Sequence, residues 1–282
     1  TWLGHSTSIV ELGGIRLLID PVWSKYSGPS NWYGPGRFHA PPLPLSELPE
    51  IAAVVISHDH YDHLDTKTIK ALSDSGHSFI TPLGVGSHLR YWGVPADRIT
   101  ELDWWQEVTL SGVRLVCTPA RHFSGRSLWD RNATLWAGWA MIAPDKRVFF
   151  SGDTGMHPAF REIGERLGPF DLTLIETGAY NVSWRDVHLG PEQAVRAHQL
   201  VGGKLMIPVH WGTFDLALHS WTEPAERVMV AAEKAGVALA IPQPGQPLEP
   251  SAPPPLKKWW PDMNWESASE APVRSSALPD DL

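Results

Sequence analysis

The sequence predicts an α/β fold in which helices pack over sheets. Strand-like and helix-like segments alternate along most of the chain, and the first two segments have a hairpin pattern. Residues 51–56 form a continuous apolar run, which is typical of a strand that is covered on both faces. The chain has 282 residues, of which 43% are hydrophobic. This is enough to bury a large core in one large domain or two small ones.

The N-terminal part of the chain is predicted to begin in a sheet. Residues 8–12 and 15–20 are rich in apolar and β-branched side chains, and Gly13-Gly14 between them indicates a tight hairpin. Residues 21–50 cluster Pro, Gly and aromatic side chains without periodicity, and a loop of this length is usually functional or mobile. The pattern then predicts a helix over 65–72, a strand over 79–82 and a helix over 85–92.

The C-terminal part is predicted to alternate between strands and helices after a short meander. The meander comprises strands over 113–118, 134–142 and 147–151. The alternation that follows comprises a helix over 158–167, a strand over 172–175, a helix over 191–200, a strand over 205–209, a helix over 224–235 and a strand over 237–241. We therefore predict a folded domain over 1–242. Residues 243–282 are rich in Pro and end in small polar residues, which predicts an irregular or disordered tail.

Charge and hydropathy exclude several classes of protein. The 31 acidic residues outnumber the 23 basic ones, and the formal charge of −8 argues against a nucleic-acid-binding protein. No run approaches the roughly 18 apolar residues of a membrane span, so we expect a protein that is cytoplasmic or peripheral on the inner membrane face. The chain starts at Thr1 and not at Met, as expected of an incomplete N-terminus. The lone Cys117 excludes an internal disulfide framework and fits a small buried side chain.

A dense group of metal-binding side chains follows the apolar run at 51–56. His58, His60, Asp62 and His63 place three imidazoles and a carboxylate within six residues. Side chains crowded in this way at the end of a buried strand would repel one another or stay unsatisfied unless a cation binds them. Imidazole together with carboxylate suits zinc, and the same ligand types are compatible with iron or manganese.

Further candidate ligands follow other predicted strands, because four neighbouring side chains cannot complete two metal sites. The assignment that completes both sites places His58, His60 and His122 on one ion and Asp62, His63 and His210 on the other, with Asp153 as the bridge. We therefore predict a binuclear centre that holds two Zn²⁺ ions. A water shared by two such ions loses a proton near neutral pH, which predicts hydrolysis by a bridging hydroxide.

At these residues the sequence resembles the metallo-β-lactamase superfamily, whose signature H-x-H-x-D-H is matched by residues 58–63. Over about residues 1–240 it is most similar to the branch of N-acylphosphatidylethanolamine-hydrolysing phospholipases D and their bacterial relatives. The segments that carry this resemblance are Thr1-Trp2-Leu3-Gly4-His5, Glu47-Leu48-Pro49, residues 57–65, Glu101-Leu102-Asp103-Trp104-Trp105, Gly152-Asp153-Thr154-Gly155, Gly168-Pro169-Phe170-Asp171-Leu172, Gly178-Ala179-Tyr180 and His210-Trp211-Gly212-Thr213-Phe214. The shorter segment 181–189 and the proline-rich tail depart from the animal enzymes.

The resemblance implies an αβ/βα sandwich, with two mixed sheets back to back, helices on the outer faces and the metals at one edge. It also implies a phosphodiesterase of phospholipase D type, a lipid or other small-molecule substrate, homodimerisation and peripheral contact with a membrane. In this family a histidine ahead of a Pro-Glu-x-Ala-Val helix lies at the substrate site. His188, which precedes Pro191-Glu192-Gln193-Ala194-Val195, occupies the matching place.

Additional site residues are predicted around the metals. Asp62 and His188 are candidates to move a proton or to orient the substrate. Arg126 is a candidate to offset phosphate charge, and His5 is a candidate to support a metal ligand. The candidates for an acyl-chain wall, all in the long loop over 21–50, are Tyr26, Trp32, Tyr33 and Phe38.

Three other functions are compatible with such a chain. A lactonase would use the same metals on the carbonyl carbon of an acyl-homoserine or sugar-phosphate lactone, in a small polar pocket rather than a long apolar groove. A di-iron oxidoreductase would need an electron partner such as a flavin domain, which we do not expect from these residues. A binding module without catalysis would be expected to lose ligands, whereas all the ligand positions are filled. Hydrolysis of β-lactams fits the Trp-rich segments less well than the phospholipase branch does.

Overall fold

The computed structural model describes residues 1–30 and 32–276. These residues form thirteen strands and five α-helices, with short 3-10 turns at Leu45–Glu47, Ala96–Arg98 and Val182–Trp184. The strands are β1 (Trp2–Gly4), β2 (Thr7–Leu12), β3 (Ile15–Ile19), β4 (Ala53–Val55), β5 (Ser78–Pro82), β6 (Ile99–Leu102), β7 (Glu107–Leu110), β8 (Val113–Thr118), β9 (Gly138–Ile142), β10 (Arg147–Phe150), β11 (Phe170–Glu176), β12 (Gly203–Val209) and β13 (Ala238–Leu239). The helices are α1 (Thr66–Asp74), α2 (Val85–Tyr91), α3 (Ala159–Leu167), α4 (Pro191–Leu200) and α5 (Glu223–Ala235).

The strands form two mixed sheets. The first has the order β1-β2-β3-β4-β5-β6, antiparallel as far as β3 and parallel from β3 to β6. The second has the order β13-β12-β11-β10-β9-β8-β7, antiparallel from β7 to β10 and parallel from β10 to β13. The predicted α/β fold with two mixed sheets is therefore confirmed.

Each face of the first sheet is buried by a different layer. Leu17 and Ile19 of β3 belong to the core shared with the second sheet, whereas Leu18 between them packs in a separate core with α1 and α2. This division follows from the two-residue period of a strand, which sends successive side chains to opposite faces. On the second sheet, α4 contacts β11 and β12, and α5 contacts β13. Helices thus cover both outer faces of the sandwich.

The loops that matter for the site leave the two sheets at one edge. In the first sheet β3 and β4 run parallel, and in the second β10, β11 and β12 do so. Strand β8 is separated from β10 by two antiparallel pairings and therefore points the same way as β10. Because parallel strands end at the same edge, the residues after these strands are brought together in space.

Residues after the last strand lie against the domain. None of the described residues beyond β13 is in a helix or a strand. The indole of Trp260 is buried and donates a hydrogen bond to Glu226, and the ring of Trp259 lies 5.5 Å from that of Trp211. Arg227 of α5 donates to the carbonyl of Ala271 over 3.1 Å. In the described part of the chain, no helix combines the length and apolar character that crossing a bilayer requires.

Candidate metal centre

Four of the predicted ligands form a first group, which we call group 1: His58, His60, His122 and Asp153. Their potential ligand atoms all lie within 4.8 Å of one another. Nδ1 of His60 is 2.9 Å from Nε2 of His58 and 3.2 Å from Nε2 of His122, and Oδ2 of Asp153 is 3.8 Å from each of those Nε2 atoms. Ligands placed tetrahedrally around zinc would be about 3.3 Å apart, since each metal–nitrogen bond is about 2.0 Å. The spacing therefore suits one metal ion.

The remaining predicted ligands form a second group, group 2, which also includes His5: His5, Asp62, His63 and His210. Nε2 of His63 and Nε2 of His210 lie 3.5 Å and 3.2 Å from Oδ2 of Asp62. The same two nitrogens lie 3.1 Å and 3.0 Å from Oδ2 of Asp153. Asp153 is thus within reach of both groups, which is the position the sequence predicted for a bridging carboxylate.

Several atoms in these groups are buried without a hydrogen bond. Among the described residues, no partner exists for Nε2 of His63, Nδ1 of His210 or Oδ1 of Asp153. Nε2 of His63 is close to the Asp153 carboxylate, but the two are not aligned as a donor and an acceptor. An unsatisfied buried polar atom is costly, and a divalent cation would remove that cost. The donor set and its geometry therefore fit a pair of metal ions.

A second layer of contacts turns the imidazoles toward the cluster. Nδ1 of His63 donates to Oδ2 of Asp20 over 2.7 Å, and Nδ1 of His122 donates to the carbonyl of Val187 over 2.8 Å. Each contact leaves Nε2 free to face the other ligands. Asp20 also accepts a hydrogen bond of 2.7 Å from the backbone N–H of Ser57, at the start of the motif. Sequence reasoning missed Asp20, although an acidic residue directly after an apolar strand was the available signal.

The backbone of the His210 loop is closely packed. His210 has a left-handed conformation with φ of 66°, and its N–H donates to the carbonyl of His5 over 2.9 Å. A Cβ atom on Gly178 would lie 2.2 Å from the carbonyl oxygen of His210, so glycine is required there. A non-glycine residue holds such a conformation only when its surroundings enforce it. The position of His210 is therefore set by this packing.

The two groups differ in protonation. Burial lowers the pKa of His58 and of His122 well below the ordinary value, so both are neutral. In group 2, burial is outweighed by the carboxylates: Asp153 raises the pKa of His210 to about 10, and Asp153 with Asp62 raises that of His63 well above its usual range. A ligating imidazole must be deprotonated. A cation would therefore displace protons from group 2 but not from the buried histidines of group 1.

His188 also lies at the cluster. Its ring centroid is 5.1 Å from that of His122 and 5.3 Å from that of His210. Its Nδ1 contacts the carboxylate of Glu176, the last residue of β11, which is fully buried. Sequence reasoning missed Glu176 as well, and the signal was again an acidic residue that closes an apolar strand. His5, by contrast, was predicted, and its Nε2 lies 2.8 Å from Oδ2 of Asp62.

The guanidinium of Arg126, which was predicted to offset phosphate charge, contacts the metal-binding loop. Nη1 donates to the carbonyls of Asp59 and Leu64 over 2.6 Å and 2.7 Å. The group also lies 4.1 Å from the ring centre of Tyr61. Through these contacts the positive charge of Arg126 stabilises the conformation of the metal-binding loop.

The aromatic residues that were predicted to form an acyl-chain wall lie in different places, some at the tip of the loop and one near the metal centre. Trp32 and Tyr33 are 80% and 67% exposed, so they do not pack on the sheet. Phe38 lies 5.9 Å from Trp221, and both line a cavity that reaches His210. Tyr26 pairs with Gly36 inside the loop. Of these four aromatic residues, Phe38 is therefore the one that the structure brings to the cluster.

Comparison with known proteins agrees with this architecture. The model of the beta-lactamase superfamily domain matches residues 15–211. An uncharacterized protein of Mycobacterium tuberculosis is 54% identical over 264 residues, which cover 92% of this chain and 71% of the relative. N-acyl-phosphatidylethanolamine-hydrolyzing phospholipase D 1 of Caenorhabditis elegans is 39% identical over 241 residues, which cover 81% of this chain and 68% of that protein.

A solved structure shares the fold. The isothiocyanate hydrolase from Delia radicum gut bacteria superposes with a TM-score of 0.68 at 22% identity, over 87% of this chain and 96% of that one. The family model matches more than half of the chain. The two sequence relatives align with 92% and 81% of the chain. The chain therefore belongs to the metallo-β-lactamase superfamily and is a metal-dependent hydrolase of that superfamily.

Proposed function

We propose that the protein is a binuclear zinc phosphodiesterase of phospholipase D type that acts on lipids resembling N-acylphosphatidylethanolamine. The observation that carries the proposal is the pair of ligand groups that share Asp153, with the imidazole of His188 beside them. The aromatic side chains of Phe38, Trp211, Phe214 and Trp221 lie next to His210 around a cavity of about 20 Å³. This cavity is too small to enclose an acyl chain, so the aromatic surface, and not an enclosed groove, is what favours an apolar substrate. The activity named for the Caenorhabditis elegans relative supports the same substrate class.

Exposed apolar side chains on the surrounding loops favour a substrate presented by a lipid surface. Trp129 is 92% exposed in the loop that follows His122, and Leu218 is 85% exposed in the loop that follows His210. Trp32 and Val182 are exposed on two further loops. Trp side chains in particular suit a membrane–water interface, because the ring has an apolar body and a polar N–H. We include peripheral membrane contact through these four loops in the proposal.

The chain's own residues prepare the site for hydrolysis. Two divalent cations held by groups 1 and 2 would lower the pKa of water and offset phosphoryl charge. Asp62 is fixed from two sides, since its Oδ2 lies 2.8 Å from Nε2 of His5 and 3.2 Å from Nε2 of His210. Burial lowers the pKa of His188 to about 4, so this imidazole is neutral at pH 7 and can accept a proton or a hydrogen bond.

The proposed reaction adds one water across the phosphodiester. The phosphorus–oxygen bond to the N-acylethanolamine breaks, its oxygen leaves with a proton, and the hydroxyl from water stays on phosphorus as phosphatidic acid. In ¹⁸O-labelled water the label is therefore expected in phosphatidic acid and not in the N-acylethanolamine.

The test is an assay of zinc-loaded protein against N-acylphosphatidylethanolamine and a panel of acyl-homoserine and sugar-phosphate lactones, with metal counted per chain. We expect about two zinc ions, cleavage of the lipid, and loss of turnover in Asp153→Asn. A matched control is Glu107→Gln, because Glu107 forms a solvent-exposed ion pair with Arg114 outside the site. Turnover of a lactone alone would overturn the substrate while leaving the metal site, and less than one ion per chain would overturn the site.

A further inference from the structure

We propose that Glu176 is a positioning residue, which orients His188 toward the reacting group and does not itself bind metal. Neither the ligand motif nor the assignment of seven ligands includes Glu176. The inference rests on the proposed hydrolysis, because that reaction is what His188 would serve. It concerns a pair of residues, one fully buried and one that reaches the surface of the site.

Both oxygens of the Glu176 carboxylate are fixed by contacts with neighbouring residues. One oxygen, Oε2, accepts a hydrogen bond of 2.5 Å from the backbone N–H of Thr154. The other, Oε1, contacts Nδ1 of His188. The N–H of Glu176 donates to Oγ of Ser151 over 2.9 Å, which fixes the backbone as well. The side chain is fully buried, so it has neither room nor solvent in which to turn away.

These contacts distinguish Glu176 from the candidate ligand beside it. Ligand atoms of Asp153, Glu176, His188 and His210 all lie within 4.8 Å of one another, so distance alone would allow a metal ion among them. Oδ1 of Asp153, however, has no hydrogen-bond partner among the described residues, whereas both oxygens of Glu176 are engaged. A carboxylate with both oxygens engaged supports a neighbour, and one with an unpartnered buried oxygen is available to a cation.

The contact also determines which nitrogen of His188 can act. Burial and the nearby Asp153 carboxylate raise the pKa of Glu176 well above its ordinary value in the metal-free protein. Cations held by Asp153 would offset that negative charge and favour the ionised carboxylate. Nδ1 then donates its hydrogen to Glu176, and the neutral ring carries its lone pair on Nε2. The His188 side chain is 15% exposed and Glu176 is not exposed at all, so Nε2 is the nitrogen left for substrate or water. An imidazole oriented by a buried carboxylate is the arrangement that activates bases in several unrelated hydrolases.

The first experiment measures the tautomer directly. In zinc-loaded protein, ¹H–¹⁵N NMR of the imidazoles, with His188 assigned by comparison with His188→Ala, is expected to show hydrogen on Nδ1. Glu176→Gln is expected to change that signal while the metal content stays at the wild-type value. Hydrogen on Nε2 in the wild-type protein would overturn the inference, and so would loss of metal from Glu176→Gln. These readouts require no substrate, so they remain informative if the proposed function fails.

The second experiment uses turnover in a double-mutant cycle. Glu176→Gln is expected to lower kcat by about 10- to 100-fold with little change in KM, and Glu176→Asp to recover part of it. The double variant with His188→Ala is expected to be no slower than His188→Ala alone, because Glu176 acts through His188. Effects that multiply would show independent roles and overturn the inference. Glu107→Gln is the matched control, with wild-type kcat expected.

Discussion

Replacement of Asp20 by Asn tests whether the residues around the candidate ligands determine metal affinity. The Asp20 carboxylate is fully buried and accepts from the Ser57 N–H, from Ser57 Oγ and from His63 Nδ1, over 2.7, 2.6 and 2.7 Å. Asn keeps one acceptor oxygen and places an NH₂ group where the other was. Because Oδ2 accepts from both Ser57 Oγ and His63 Nδ1, an NH₂ group there deprives both donors of their acceptor, whereas at Oδ1 it would face the Ser57 N–H. Loss of such a contact weakens metal binding by about 10- to 100-fold, equivalent to about 1.4 to 2.8 kcal/mol.

The effect is expected mainly at the ion bound by group 2, because His63 belongs to that group. Titration of the metal-free protein with zinc against a chromophoric chelator would give the two dissociation constants separately. Asp20→Asn is expected to raise one of them about 10-fold or more, and Glu107→Gln to leave both unchanged. If both constants of Asp20→Asn stay within twofold of wild type, Asp20 does not support the site and the reasoning fails. Chemical denaturation of the metal-free variant would separate loss of affinity from loss of fold.

Three further predictions follow from the described contacts. Zinc loading at pH 7 should release about two protons, from His63 and His210, and the affinity for zinc should fall as the pH is lowered. Calorimetry in buffers of different ionisation enthalpy would measure the number of protons released. A zinc-loading reaction that releases no protons would contradict the prediction. Gly178→Ala should displace the His210 carbonyl, which is 2.2 Å from the added Cβ, and metal analysis should then show loss of one ion, whereas two retained ions would contradict the packing argument. Trp260→Ala should lower the free energy of unfolding by about 3 to 5 kcal/mol, measured in urea, because this indole is buried; a change under about 1 kcal/mol would show that the tail contributes little.

The sequence was most informative where hydrophobic runs are long. The helices and the buried strands, such as β8 and β12, lie close to their predicted limits because their apolar patterns are continuous. Strands β6 and β7 were missed, because each has four residues and carries an acidic side chain in a pattern of partial burial. The strand predicted over 134–142 begins only at Gly138, since the N–H of Ala137 donates to the carbonyl of Ser57 and not to a neighbouring strand. Such short elements depend on tertiary contacts.

At the candidate metal centre, the sequence identified which side chains could bind a metal. It did not identify the hydrogen-bond donors that surround each carboxylate. Asp59 lies inside the metal motif, yet its oxygens accept from the N–H of Gly125 and from Oγ1 of Thr134, away from both groups. Asp20, Asp153 and Glu176 each close or follow an apolar strand, and one rule would have selected all three. Only Asp153 retains an unpartnered oxygen among the described residues, and that difference depends on which backbone N–H groups the fold brings to each carboxylate. A strand-end carboxylate in this fold is therefore a candidate ligand only after its hydrogen-bond donors have been identified, and the donors come from loops distant in sequence.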